Sequence, residues 1–413
     1  MQETKKIFKR FACTSIFSQR SSAAKDSLLF AGALFFISYS PGTALATDTH
    51  VNRIIESIES PQKDLHSESD SLTLPELLRK ENVPSISIAA IKDFQLHWAK
   101  AYGTADIATG RPASTSTRFQ AASISKPVTA FAALQMVQSG LLDLDKDINT
   151  FLKSWKVPDS ELTRQQPVTA RSLLSHTSGS DDGFGFPGYD LQQPLPSVLQ
   201  ILDGEKPSIT KKVTFARPPY QAYKYSGGGT MIIQQALMDL CVCSFERFMQ
   251  SRVLEPLKLE SSTFMQPGKE SELPDIAFAH DKSGRRFDSP WHRYPELAAA
   301  GLWTTPTDLA KIIIDIQNSL RGKPGSLLSQ QYAKEMITPV GVGDFAVGME
   351  ISRRGKGWYF SHLGSNFGFK AWLIGHIRNG YGVVMMTNGD NGMAAIENIA
   401  NRIARTYGWD SVE

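Results

Sequence analysis

The chain has 413 residues, 41% of them hydrophobic, enough apolar surface to bury a large core and to exclude disorder as its general state. Its formal charge is +3, but residues 1–46 hold Lys5, Lys6, Lys9, Arg10, Arg20 and Lys25 against only Glu3 and Asp26. The rest is formally −1, so the charge balance predicts no nucleic-acid partner.

Residues 1–46 read as an export signal: a basic stretch, an apolar run from Leu28 to Ile37, then Ala44-Leu45-Ala46 ahead of Thr47. The folded part is expected outside the cytoplasm, secreted or periplasmic, with a membrane link only if this segment stays uncleaved. Residues 47–72 read as a polar, partly ordered arm, followed by a short helix over Leu74 to Lys80. The run from Val83 to Ile91, a break at Lys92-Asp93 and a second run through Trp98 predict a β-hairpin.

After Pro127 the apolar residues Val128, Phe131, Leu134, Met136 and Val137 recur at helical spacing as far as Gly140. Further helices are expected around Ala170–Ser175, Thr230–Leu240, Ser244–Val253 and Thr307–Ser319. Cys241 and Cys243 are expected to be small buried residues, too close in sequence for an ordinary bridge. Strands return at Phe345–Ile351, Trp358–Ser361, Phe369–Ile377 and Gly382–Thr387, before a last helix over Met393–Tyr407. The expected class is therefore α/β of the α+β type. One antiparallel sheet is built from both ends of the chain (73–125 and 295–413), with a mostly helical insertion (126–294).

Ser-x-x-Lys places a hydroxyl and an amine one helical turn apart, close enough for proton transfer if the amine is neutral. The pattern occurs four times, at Ser22/Lys25, Ser60/Lys63, Ser123/Lys126 and Ser208/Lys211. Only Ser123 opens a buried helix, because Pro127 is tolerated only in a first turn. Its hydroxyl then sits at the positive end of a helix dipole. Two companions follow. Tyr225-Ser226-Gly227 precedes a helix, in a glycine run that lets backbone approach a ligand. His362-Leu363-Gly364-Ser365 ends a strand, where Gly364 admits substrate and the next amide can face an oxyanion.

Together, Ser123-Ile124-Ser125-Lys126, Tyr225-Ser226-Gly227 and His362-Leu363-Gly364 resemble the three boxes of the penicillin-recognising serine hydrolases, nearest the class C beta-lactamase branch. Leu173 to Gly179, Glu255 to Leu257, Gly301 to Asp308 and Asn366 to Phe369 resemble further segments of that branch. The resemblance implies a serine hydrolase acting through an acyl-enzyme on esters, D-amino-acid peptides or beta-lactams. In it Ser123 attacks, Lys126 and Tyr225 share the proton transfers, His362 orients substrate, and the amides of Ser123 and Ser365 form the oxyanion hole. Gly227, Gly364 and Asn366 would contact substrate. Neither a cofactor nor a metal is expected.

Gly227 stands where beta-lactamases usually carry asparagine, and His362 where they carry lysine, so the resemblance favours an esterase or peptidase. The same departures admit a second expectation, a cell-wall-peptide or partner-binding protein that has lost turnover. Lys282-Ser283-Gly284, a rival third box, reads as a hairpin turn after Asp281. His176 and Asp308 read as structural, one satisfying local backbone and the other starting a helix.

Overall fold

Alternating apolar runs from the two ends of the chain meet in one sheet that is apolar on both faces. The structure, a computed structural model, describes residues 42–62, 67–182, 185–268 and 273–410; the expected leader, except for the first residues of a helix, lies outside them. The order begins with α1 (Gly42–Glu59), α2 (Leu74–Lys80), β1 (Ser85–Lys92), β2 (Gln95–Asp106), β3 (Arg111–Pro112) and β4 (Phe119–Gln120). Helices follow: α3 (Ser125–Gln138), α4 (Glu161–Gln165), α5 (Ala170–Leu174), α6 (Val198–Asp203), α7 (Gly227–Cys241), α8 (Phe245–Met249) and α9 (Leu297–Ala300). Then come β5 (Trp303–Thr304), α10 (Pro306–Leu320), α11 (Gln330–Glu335), β6 (Glu350–Arg354), β7 (Gly357–Asn366), β8 (Phe369–His376), β9 (Gly382–Thr387) and α12 (Gly392–Tyr407).

The main sheet has the order β3-β2-β1-β9-β8-β7-β6, and all its neighbours are antiparallel. The expected mixed fold, with N- and C-terminal strands in one sheet, is thus what forms. Side chains alternate across it with period two. Ala89 and Ile91, Leu373, Val384 and Met386 enter the larger core with α3, α7 and α10. Ile86, Ile88 and Ala90, Ile374, Val383 and Met385 enter a second core on the opposite face, closed by α12 through Ala395, Ile396, Ile399, Ala400 and Ile403. The candidate site residues gather where β7 meets the turn that starts α3.

Three expectations change. In the polar, partly ordered arm expected over 47–72, the described residues are anchored: α1 lays Ile54, Ile55 and Ile58 against the second core, and Arg402, fully buried, donates to the carbonyls of Ile58, Ser60 and Ser69. Its polarity misled because a polar outer face hides a one-sided apolar stripe. Arg402→Ala should remove the guanidinium that ties these carbonyls to α12 and lower unfolding free energy by about 3 kcal/mol in urea titrations. An unchanged midpoint would show the segment to be unattached.

The strand expected over Phe345–Ile351 begins only at Glu350. Ala346, Val347 and Met349 are apolar because they fill the core as a turn, with the Ala346 amide bonded to the Met349 carbonyl. Gly348 (φ 85°) passes so close to α3 that an added Cβ would stand 2.4 Å from Ala130 Cβ. Finally, Cys241 and Cys243 do form a disulfide. Val242 takes a left-handed conformation (φ 52°) at the end of α7, which curls the chain and holds the two Cα atoms 5.2 Å apart.

Candidate active site

The first functional turn is held in an unfavourable backbone conformation by several hydrogen bonds. Ala122 has φ 52°, a left-handed geometry that costs a residue with a Cβ about 1–2 kcal/mol. Ser125 Oγ donates to the Ala122 carbonyl (2.7 Å) and accepts from the Leu302 amide (3.0 Å), and the Ala121 amide donates to the Leu302 carbonyl (2.8 Å). Ser125 is therefore a fully buried brace, leaving half-buried Ser123 as the serine of this turn that faces the cavity. A short 3-10 turn, Ala122–Ile124, then feeds α3, placing the helix start where Pro127 requires it.

Lys126 projects one turn along. Its Nζ lies 3.1 Å from Ser123 Oγ and donates to the Ala299 carbonyl at 2.9 Å. Thr129 donates to Ala298 O, and Gln234 of α7 accepts from the Ala298 amide, so α9 is pinned from two helices while it holds the lysine. Burial drives the Lys126 ammonium down to about 7, against a smaller opposing pull from the Asp182 carboxylate. An appreciable fraction is thus a neutral amine at neutral pH, with a lone pair free for the serine proton.

Tyr225 reaches the same oxygen from the loop before α7: its phenol is hydrogen-bonded to Ser123. Burial holds that phenol well above its ordinary range, so it stays protonated, and Lys126 Nζ lies 5.0 Å from its ring centroid. The loop is fixed from below. Ser226 caps α7 by accepting from the Gly229 amide (2.7 Å) and donates to Asp182, which also accepts from the Gly228 amide (2.6 Å). His176, buried at φ 59°, accepts from the Ser226 amide at Nδ1 (3.2 Å) and packs its ring 4.2 Å from that of Tyr225. That supports its structural reading: burial keeps the imidazole neutral and it positions the tyrosine loop.

The third segment is β7. An added Cβ on Gly364 would lie 2.4 Å from the Ala121 carbonyl oxygen, so glycine is what lets the strand close on the turn that carries Ser123. Ser365 and Asn366 line the cavity beside it, but the Asn366 side-chain amide donates to Gln120 (2.9 Å) and Ala300 O (3.1 Å), tying β7 to β4 and α9. His362 is 3% exposed, and its Nδ1 faces the Leu363 carbonyl at 2.7 Å. A carbonyl only accepts, so Nδ1 carries the hydrogen and Nε2 is a bare acceptor, buried with no partner among the described residues. Burial and the neighbouring Lys126 charge lower His362 to about 3, so it is neutral throughout the physiological range.

These groups line one cavity of about 390 Å³ with Phe186, Tyr223, Phe345, Glu350 and Leu363. Leu363 belongs to the His362-Leu363-Gly364 segment, whereas sequence reasoning gave Phe186, Tyr223, Phe345 and Glu350 no place in the site, since each arrives through loop or edge geometry. Phe186 has a specific consequence: a Cβ at Gly227 would stand 2.6 Å from its ring, so the aromatic side occupies space that an asparagine there would need. Elsewhere, the Lys282 rival is a turn between bridged His280 and Arg286, with Asp281 accepting from Ser283. Asp308 lies in the first turn of α10, capped by Thr305, and accepts from the Ser261 amide (2.9 Å). Among the described residues no cluster of His, Cys, Asp and Glu suits a metal, and no helix is long and apolar enough to cross a membrane.

The Beta-lactamase family model matches residues 71–406, from α2 to the last turn of α12. Protein flp of Staphylococcus aureus (strain N315) is 22% identical over 320 residues, covering 75% of this chain and 61% of that protein. The chain thus spans about three fifths of the length of the curated relatives it matches. Teichoic acid D-alanine hydrolase of Staphylococcus aureus is 22% identical over 232 residues, covering 56% of this chain and 54% of that protein. Among solved structures, D-amino acid amidase from Ochrobactrum anthropi SV3 superposes with a TM-score of 0.62 at 19% identity, covering 87% of this chain and 99% of that one. With the family match running through every element that builds the cavity, the chain belongs to the Beta-lactamase family.

Proposed function

We propose that the protein is a serine hydrolase that cleaves esters or amides through an acyl-enzyme at Ser123. The observation that carries this is the meeting of Lys126 Nζ (3.1 Å) and the Tyr225 phenol on the Ser123 hydroxyl, which lines the cavity. Ser123 Oγ bonds to the substrate carbonyl carbon while its proton passes to neutral Lys126. The carbonyl oxygen becomes an oxyanion, received by the amides of Ser123 and Ser365. On collapse the bond to the leaving group breaks, and that group takes a proton through Tyr225; water then releases the acyl group by the reverse relay.

Small acyl esters and amides fit better than beta-lactams. Phe186 crowds Gly227, and neutral His362 gives a substrate carboxylate no cation. The names of the teichoic acid D-alanine hydrolase and the D-amino acid amidase favour D-amino-acid ester or amide chemistry. An exported location suits such substrates.

Incubation with a fluorophosphonate followed by peptide mapping should place one adduct on Ser123 and none on Ser125. If the protein takes up no label and leaves short acyl esters intact while still binding peptidoglycan, it is a binding protein and the hydrolase reading is wrong.

A further inference from the structure

We infer that the cavity contains a subsite for a cationic amine, formed by the Glu350 carboxylate and the bare Nε2 of His362, and that the preferred substrates carry an ammonium group near the scissile carbonyl. This rests on the hydrolase reading and names its substrate class.

The case is one of donors and acceptors. Glu350 opens β6 at the sheet edge and His362 stands on the neighbouring strand β7, and both line the cavity. Glu350 is half-buried, and among the described residues no ion pair or side-chain hydrogen bond engages its carboxylate. Glu350 and Tyr223 line the same cavity, and burial above all, then the Tyr225 and Glu350 charges, raise the Tyr223 phenol. His362 Nε2 is enclosed, unpartnered and an acceptor, because Nδ1 is occupied with the Leu363 carbonyl.

Among the described residues lining the cavity the only cationic side chain is Lys126, which is turned to Ser123 and Ala299 O. A ligand carboxylate would meet one like charge and an acceptor that offers no proton, both unfavourable. An ammonium would supply the donors that both groups lack. Tyr223, Phe345 and Phe186 add ring surface on the same walls, which suits a cation beside π faces. A buried acceptor left without a donor costs free energy, so a ligand that satisfies it gains what solvent cannot supply.

Two matched substrate pairs test this and separate the sources of the amine. Alanine p-nitroanilide (D and L) against its N-acetyl form places the charge on the acyl side; acetylthiocholine against 3,3-dimethylbutyl thioacetate places it on the leaving group. In at least one pair the cationic member should have a KM about tenfold lower at similar kcat. Glu350→Gln should bring the two members of that pair together, and Glu350→Asp should keep most of the difference. Equal KM values in both pairs, or a preference that survives Glu350→Gln, would overturn the subsite. Calorimetry with choline and D-alaninamide against their neutral isosteres reads the same preference without turnover. A cation preference there with no hydrolysis of any ester would keep the subsite and sink the hydrolase reading alone.

Discussion

Lys126→Met is expected to lower kcat/KM for every substrate by about 10³-fold or more, activated esters included, while the fold survives. Methionine fills much of the same channel, and the change removes a cationic amine that burial makes costly. The urea midpoint should be equal to or above that of wild type near and below pH 7. In wild type, kcat/KM should rise with pH through about 7, as burial brings the Lys126 ammonium into that range and, in the proposed mechanism, the neutral form accepts the serine proton.

The stability sign follows from the same group. Its folded-state value lies below the ordinary lysine value of 10.5, so between about 7 and 10.5 the unfolded chain binds the additional proton. Stability therefore rises with pH across that window, and the full cost of the buried charge is present below it. Methionine should abolish both the acidic limb of the residual rate and this rise. A variant that keeps the acidic limb would assign it to another group.

Why these residues were legible in sequence, and others were not, comes down to range. Ser123 and Lys126 are one helical turn apart, so local periodicity and Pro127 fix their juxtaposition before any tertiary fold is known. Tyr225 was readable through its glycine run, and Gly364 through its strand, as positions where backbone must come close; the 2.4 Å approach to Ala121 O is that requirement met. Glu350 and Phe186 carry no such mark. They reach the cavity because an edge strand starts late and a loop folds over α7, and both are outcomes of packing.

The same limit explains the misread strand. Ala346, Val347 and Met349 have the burial of a strand without its pairing, and an apolar run reports burial first. The disulfide was missed for a different reason. Spacing statistics describe extended or helical chain, and Val242 adopts neither. Helix boundaries came through well where a cap marked them, as at Thr73 and Thr305, which both accept from the third helical amide.

Tyr225→Phe should divide substrates by leaving group, and this separates its role from that of Lys126. Burial holds the Tyr225 phenol above its ordinary range, only partly offset by the hydrogen bond from Ser123, so a resting phenolate is too costly to serve as the acylation base. Its remaining task is to deliver a proton where the departing group needs one. An alkyl ester or an amide expels a strongly basic group and needs that proton in the transition state, whereas p-nitrophenolate leaves without it. The variant should therefore lose about 10²-fold in kcat on amides and alkyl esters but less than about tenfold on a p-nitrophenyl ester of the same acid. KM should change little, since the lost hydroxyl lies against Ser123 and the ring stacked near His176 remains. Equal losses on both ester types would make Tyr225 part of the serine-activating step, and the division of labour between phenol and amine would have to be redrawn.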